Sequence, residues 1–437
     1  MKKVILFGSL LIIAAISSCT KDNSLTPPND NIIENTIVLS TKWQEMNKIA
    51  VKWDKADIDT LLAFTYRLKR KDPLGNVYSK DFMLTSDDTT YIDDNDGNGL
   101  TPGSKYSYQI EAINNDTIQD TSNTIYVETL SPTNHNITWE VDTLGQPGDF
   151  LYDIWGTDEN NIWAVGSVNL PEGSQGIVRW DGQKWNPFPS FDGVKQGMLG
   201  FDENNIFVVG GFGLFGIVGI WDGNIWNVNN FFYTILGQDT VWSLRGVWGS
   251  SPDNVWAVGD RGTIIHWDGS QWSKVQSPTN LILWDIWGTS ADNVYALHIS
   301  LANQSKLIHF DGTEWREITD QLPVGERSLV SLWFDKGGTG YLTGNYMVYY
   351  DGTVFNGIDI NQNASLLRVR GRNSADVFAV GVNGRVYHFN GIDWTSYPEL
   401  YDDTPGMELK GVFVTETTVF AVGIINSGAV IYKGIRK

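Results

Sequence analysis

Three groups of residues in this 437-residue chain could do chemistry. The first is a row of equivalent places in a repeated phrase, filled by Asp153, Gly197, Gly246, Asp285, Ser331, Arg368 and Gly411. Two carboxylates and a guanidinium brought together can bind an ion, water or the tip of a polar ligand. A carboxylate pair at the right separation can also cleave a glycosidic bond. The second group is Asp94-Asn95-Asp96-Gly97-Asn98-Gly99, with Asp93 beside it. It fits the first half of a calcium loop, but its twelfth position is Lys105, where a bidentate Glu is needed. The expectation is a solvated turn, with Asp93, Asp94 and Asp96 as a weak calcium candidate. The third group is aromatic: Phe212, Phe215, Phe231, Phe232, Tyr233, Tyr397 and Tyr401 lie in segments that break the repeat. Exposed rings can stack on sugar faces or bury against a protein partner, and rings turned inward would plug the scaffold. His266, His309 and His388 hold one place in three copies, so the repeat keeps them apart and no metal cluster is expected. No Ser-His-Asp, Cys-His or Gly-rich phosphate cradle stands out, and no cofactor is expected.

The repeat must position these groups. Its clearest copy reads Leu244-Arg-Gly-Val-Trp-Gly249, Val255-Trp-Ala-Val-Gly259, Thr263-Ile-Ile-His-Trp-Asp-Gly269 and Trp272. The copies are tracked by Gly182, Gly223, Gly269, Gly312, Gly352, Gly391 and Gly434, a period of roughly 40 to 45 residues that suits a four-stranded blade. The runs are short, rich in Val, Ile and aromatics, and bounded by Gly, Asn and Asp, which makes them strands. The Asp-Gly steps predict tight hairpins with both central residues at positive φ. Asn161, Asn205, Asn254 and Asn293 are read as turn residues. Four strands repeated radially predict a β-propeller. The last copy lacks its final Trp strand, and Ile137-Thr-Trp139-Glu-Val141 precedes the first copy. Seven blades are therefore expected, the last completed by this early strand, which closes the ring and removes its edges. In such a ring Asp153, Asp285 and Arg368 face one another near the axis.

The Trp-Gly, Trp-Ala-Val-Gly and Trp-Asp-Gly phrases resemble the repeats of secreted bacterial β-propellers over residues 137–437. The sialidase Asp-box is matched only at Gly262-Thr263 and does not recur, so sialidase chemistry is not implied. At the amino end Lys2, Lys3 and an apolar run from Val4 to Ile16 read as a signal peptide over residues 1–18. Ile16-Ser17-Ser18-Cys19 resembles the lipobox of bacterial lipoproteins, which implies acylation of Cys19, the single cysteine. Thr20-Lys21-Asp22-Asn23 loosely resembles the surface-export signals of Bacteroidetes lipoproteins, which implies an outer-membrane protein facing the outside, with the periplasmic face as the alternative. Residues 19–35 read as a disordered tether. In residues 36–130, Leu100-Thr-Pro102 followed by Tyr106 resembles the corner of fibronectin type III domains, and Trp53 sits where that family buries its Trp.

The net charge of −20 argues against a nucleic-acid partner. The chain is expected to be all-β: a fibronectin type III-like β-sandwich, then a seven-bladed β-propeller closed by an N-terminal strand. Its expected role is a lipid-anchored envelope protein binding a glycan or an envelope or extracellular protein through its loop face. The alternatives are a polysaccharide-acting hydrolase or lyase and a purely structural surface spacer.

Overall fold

In the computed structural model the described residues are 37–54, 65–83, 89–231, 240–299, 305–318, 321–323, 328–359 and 365–437. Cys19, the signal and tether segments, Phe232 and Tyr233 lie outside them. Among the described residues there is no α-helix, and the elements are strands with two short 3-10 turns.

Two sheets form the amino-terminal unit. One joins Leu39–Gln44, Ile49–Trp53 and Thr90–Asp93. The other runs Val77–Met83, Thr65–Lys71, Lys105–Asn114, with Thr117–Thr121 and Ile125–Glu128 both pairing with Lys105–Asn114. Period-two alternation explains the core. Tyr66 and Leu68 point inward from one strand, Tyr106, Tyr108 and Ile110 from another, and they bury Trp53 between the sheets. The Tyr106 hydroxyl accepts the backbone N–H of Thr101 at 2.9 Å, which ties the crossover between sheets to the long strand.

From residue 137 onward the strands make seven four-stranded antiparallel sheets. Their first strands are Phe150–Asp158, Val194–Asp202, Leu244–Ser251, Leu283–Ser290, Leu329–Phe334, Leu366–Asn373 and Glu408–Val414. Each first strand packs on that of the next sheet, and Glu408–Val414 packs on Phe150–Asp158, so the circle closes. The seventh sheet is Glu408–Val414, Thr418–Ile425, Gly428–Arg436 and then Ile137–Leu144. In that last pairing Trp139 lies opposite Gly434 and Val141 opposite Tyr432. Gly434 is therefore a strand residue, not a hairpin turn like its counterparts.

Second strands such as Asn254–Gly259 are apolar along nearly their whole length because both faces are covered by neighbouring sheets. Hydrophobic clusters accordingly straddle sheets: Trp256 and Val258 of the third pack with Leu283, Ile286 and Trp315 of the fourth. The Trp-Gly phrase has a direct reason. A Cβ on Gly288 would lie 2.7 Å from the ring of Trp248, so the Trp of one sheet lies flat on the Gly of the next.

The Asp-Gly turns differ from the sequence expectation. Trp267 pairs with Trp272, leaving four residues in the loop, and only Gly269 takes positive φ, at 90°. Asp268 keeps ordinary backbone angles, and its Oδ1 accepts the N–H groups of Ser270 and Gln271 at 2.8 and 2.9 Å. The carboxylate does the work that a second left-handed residue would do in a two-residue turn.

Candidate functional site

The axial row is built by the first strands. Its side chains turn sideways into the next sheet. Asp153 Oδ2 accepts the N–H of Met198 at 3.1 Å, Asp285 Oδ2 accepts that of Leu332 at 3.2 Å, and Ser331 Oγ accepts that of Val369 at 3.2 Å. Glycine takes the position where strands approach closest: a Cβ on Gly411 would lie 2.9 Å from the Cα of Asp153. Arg368 then crosses between sheets, with Nη1 at 3.1 Å from Asp285 and Nη2 at 3.5 Å from Asp153. The three residues do meet, as their places in the repeat imply.

Their charges are spent on one another. Asp285 also accepts the Ser331 hydroxyl at 2.7 Å and pairs with Arg370 Nη2 at 3.0 Å. Arg370 stands where other copies carry the Trp of Trp-Gly, and its guanidinium lies 4.7 Å over the ring of Trp287. Its signal in the sequence is a charge in an aromatic column, outside the row itself. Asp285 is 1% exposed and Arg368 8%, so neither faces an open channel. Burial opposes ionisation of Asp285, but Arg370 and Arg368 outweigh it and hold the carboxyl below its ordinary range. A carboxylate held this way is a poor proton donor, since general acids in glycoside cleavage need the opposite shift.

The His row has a structural task. His266 Nε2 meets Asn254 Oδ1 at 2.6 Å, and His309 Nε2 meets Asn293 Oδ1 at 2.7 Å. Arg179 does the same to Asn161 at 2.8 Å, and His388 meets Asp376 at 3.2 Å. Each ring also stacks on the aromatic of the second strand, as Tyr295 on His309 with centroids 4.3 Å apart. Asn161, Asn254 and Asn293 are thus acceptors for a third-strand donor, whereas Asn205 donates its amide to Asp202 at 2.9 Å, and none of the four has the positive φ that a turn role would favour. Burial lowers the pKa of His266 and His309, which keeps them neutral.

The Asp93–Asp96 turn directs its carboxylates apart. Asp93 is buried and takes Arg70 at 2.9 Å and the Tyr108 hydroxyl at 2.8 Å. Asp94 accepts the N–H of Gly97 at 3.1 Å, and Asp96 takes Lys80 at 2.5 Å and Tyr78 at 2.7 Å. Each calcium candidate already has a partner. Among the described residues no three His, Cys, Asp or Glu converge as a metal site would need.

The aromatic set divides. Tyr397 is 4% exposed, packs edge-on against Trp139 at 5.2 Å and donates its hydroxyl to the carbonyl of His135 at 3.2 Å. It is a plug at the closing strand, which corrects its place among the ligand-contacting residues. Tyr401 lies half-buried with Arg385 at 4.9 Å over its ring. Phe231 packs against the core between the second and third sheets. Phe212, at the end of a second strand, is 44% exposed.

Phe215 leads to a feature outside the expected set. It stacks on Trp242 with centroids 6.1 Å apart and planes 8° apart, and the two residues form a β-bridge. Over the Trp242 ring lies the Arg261 guanidinium, 3.9 Å from its centroid. Arg261 is exposed and takes a left-handed backbone, φ 54° and ψ 36°, inside the turn Asp260–Gly262. Next to it a cavity of about 310 Å³ is lined by Arg261, Lys274, Gln276, Ser277 and Thr279. One step around the ring, Arg245 lies 4.5 Å over Trp284, which is 38% exposed. Trp242 and Arg261 stand outside the repeated phrase, and that irregularity is the signal by which sequence reading could have found them.

No family model matches this chain, and no curated protein matches it. Solved structures do. The structure described as YCF48 bound to D1 peptide superposes with a TM-score of 0.53 at 16% identity, covering 70% of this chain and 99% of that one. The WD40 β-propeller domain of Doa1 gives 0.48 at 14% identity, covering 68% and 97%. The RRP9 WD40 repeats give 0.48 at 10% identity, covering 69% and 98%. The likeness to the first establishes the β-propeller fold.

Proposed function

We propose that this chain is a lipid-anchored protein of the bacterial outer membrane, displayed at the cell surface, whose propeller captures a ligand on the loop face of its second and third sheets. In this reading Cys19 is acylated, residues 19–35 tether, residues 36–130 are a fibronectin type III-like spacer and residues 137–437 a seven-bladed ring. The Tyr106 corner and buried Trp53 support the spacer, and the seven closed four-stranded sheets support the blade count.

The observation that carries the binding role is Arg261, held in a left-handed conformation with its guanidinium over Trp242. A non-glycine residue in that region stores strain, and such strain gathers at ligand-contacting turns. Trp and Arg are also the side chains that most often anchor protein interfaces. Lys274 beside Arg261 favours a carboxylate-bearing protein segment over a neutral glycan. The YCF48 structure contains a bound peptide, which agrees in partner class. The pairing of Asp285 with Arg368 and Arg370 makes it a poor proton donor, which counts against the hydrolase or lyase alternative.

The test uses residues 36–437, screened against glycans and against envelope and extracellular proteins. Arg261→Ala and Trp242→Ala are expected to weaken capture at least tenfold, while Arg316→Ala, on an exposed side chain elsewhere, leaves it unchanged. Retention of no ligand at micromolar concentration, or full affinity in both face variants, overturns the reading. Turnover of a polysaccharide, abolished in an Asp285→Asn variant that a thermal melt shows to be still folded, would replace it with the enzymatic one.

A further inference from the structure

The sandwich does not hang free of the ring. The turn after Leu39–Gln44 reaches the fifth and sixth sheets, where Glu45, Met46 and Asn47 share a cavity of about 460 Å³ with Thr339, Tyr349 and Trp394. The carbonyl of Glu45 accepts the N–H of Leu130 at 3.0 Å, so this turn is tied to the start of the linker. The linker is fixed in its turn: Thr133 donates its N–H to the Asn390 carbonyl at 3.0 Å and its hydroxyl to that of Ala375 at 2.8 Å.

Two carboxylates meet at this joint. Glu45 of the sandwich is 6% exposed and Asp335 of the fifth sheet 8%. They converge on one residue: Thr339 donates its hydroxyl to Glu45 Oε1 at 3.5 Å and its N–H to Asp335 Oδ1 at 3.2 Å. Gly337 lets them approach, since a Cβ there would lie 2.1 Å from Glu45 Oε1 and 3.2 Å from Asp335 Oδ1. Among the described residues neither carboxylate has a cation within ion-pair distance. Two buried like charges without a counter-ion cannot both be ionised at low cost, so such a pair holds a proton.

We propose that Glu45 and Asp335 form a proton-operated latch between the sandwich and the propeller, closed when the pair holds a proton and loosened when both carboxylates ionise. The loosened state would free the sandwich to swing and re-aim the ring relative to its anchor.

The groups facing Glu45 fit this role. Burial first, then the charge of Asp335, push its carboxyl up to about 7, while Lys48 on its own turn pulls it down. Tyr349 and Tyr341 of the ring face the pair, and burial keeps both phenols protonated. Burial also raises Asp335. On the neighbouring sixth sheet His388 lies between His135 of the linker and Asp376, which pairs with Arg436 and Arg372. Burial lowers His388, so this second cluster is neutral at its histidine in the docked form and answers acid in the opposite sense.

The sign follows from linkage. The docked form binds more protons than the open form between the free value of 4.5 and about 7. Docking is therefore strongest in mild acid and weakens as pH rises through that window.

The experiment uses the full chain with Cys19→Ser, Leu74→Cys and Ile225→Cys, spin-labelled on the two exposed positions. Distance distributions are recorded at pH 5 and pH 8. The ratio of open to docked populations is expected to rise roughly 50- to 100-fold at the higher pH. Glu45→Gln and Asp335→Asn should each shrink that response several-fold and stay docked, because burial still raises the one carboxyl that remains, and His135→Gln should keep it in full. Identical wild-type distributions at the two pH values overturn the latch. So does a response undiminished in both carboxylate variants or lost in His135→Gln. Thermal melts of each variant confirm that the labels report on folded domains.

Discussion

The residues at the axis show how a polar row becomes structure. Asp153, Asp285 and Ser331 each use one oxygen to hold the neighbouring sheet's backbone, and Arg368 and Arg370 neutralise what is left. Removing one member of such a buried network leaves the others uncompensated. Asp285→Asn is expected to destabilise the ring by about 3–5 kcal/mol, read from chemical denaturation. The pH dependence has a definite sign. The folded pKa of Asp285 lies below its ordinary value, so its contribution is present at neutral pH and is lost as pH falls below about 4. An acid limb that is unchanged in Asp285→Asn would show that this network does not set it. The meeting of Asp153, Asp285 and Arg368 was readable from their places in the repeat, but the partner of Arg370 was not. Arg370 stands in the Trp column of the repeat, and only the fold places its guanidinium on an aspartate two sheets away.

At the scale of elements, the repeat was legible because each blade solves the same packing problem. Trp248 lies on Gly288, His309 reaches Asn293, and Asp268 caps its own hairpin. These contacts are local or between neighbours, so they recur in the sequence at a fixed period. The Asp-Gly turns depart from the two-residue hairpins that the dipeptide predicts, because a dipeptide does not reveal loop length. The pairing of Trp267 with Trp272 does. The strand Ile137–Leu144 tests the closure directly. Its deletion would leave Gly428–Arg436 with an unpaired edge. The expected result is a melting temperature lower by several degrees, with aggregation in light scattering; an unchanged melt would mean that the strand does not close the ring.

For the whole molecule, the cores are separate. The sandwich cluster from Ile37 to Val127 shares no member with the clusters of the ring. Calorimetry is therefore expected to resolve two transitions. Tyr106→Phe, which removes the acceptor of the Thr101 N–H, should cost about 1 kcal/mol and lower only the sandwich transition by a few degrees. A single transition that moves as a whole would show that the joint at Glu45 and Thr133 couples the two units into one.

Period and alternation were enough to read β-structure, the propeller and the strand that joins its two ends, because those features arise from residues near in sequence or from the regular spacing of copies. The partners of Arg370, the burial of Tyr397, the Arg261–Trp242 stack and the meeting of Glu45 with Asp335 were beyond that reading. Each joins residues from different sheets or domains, and Glu45 and Asp335 are nearly three hundred positions apart. Such contacts depend on how the closed circle and the sandwich settle in three dimensions, where no periodic signal in the chain records which side chains will touch.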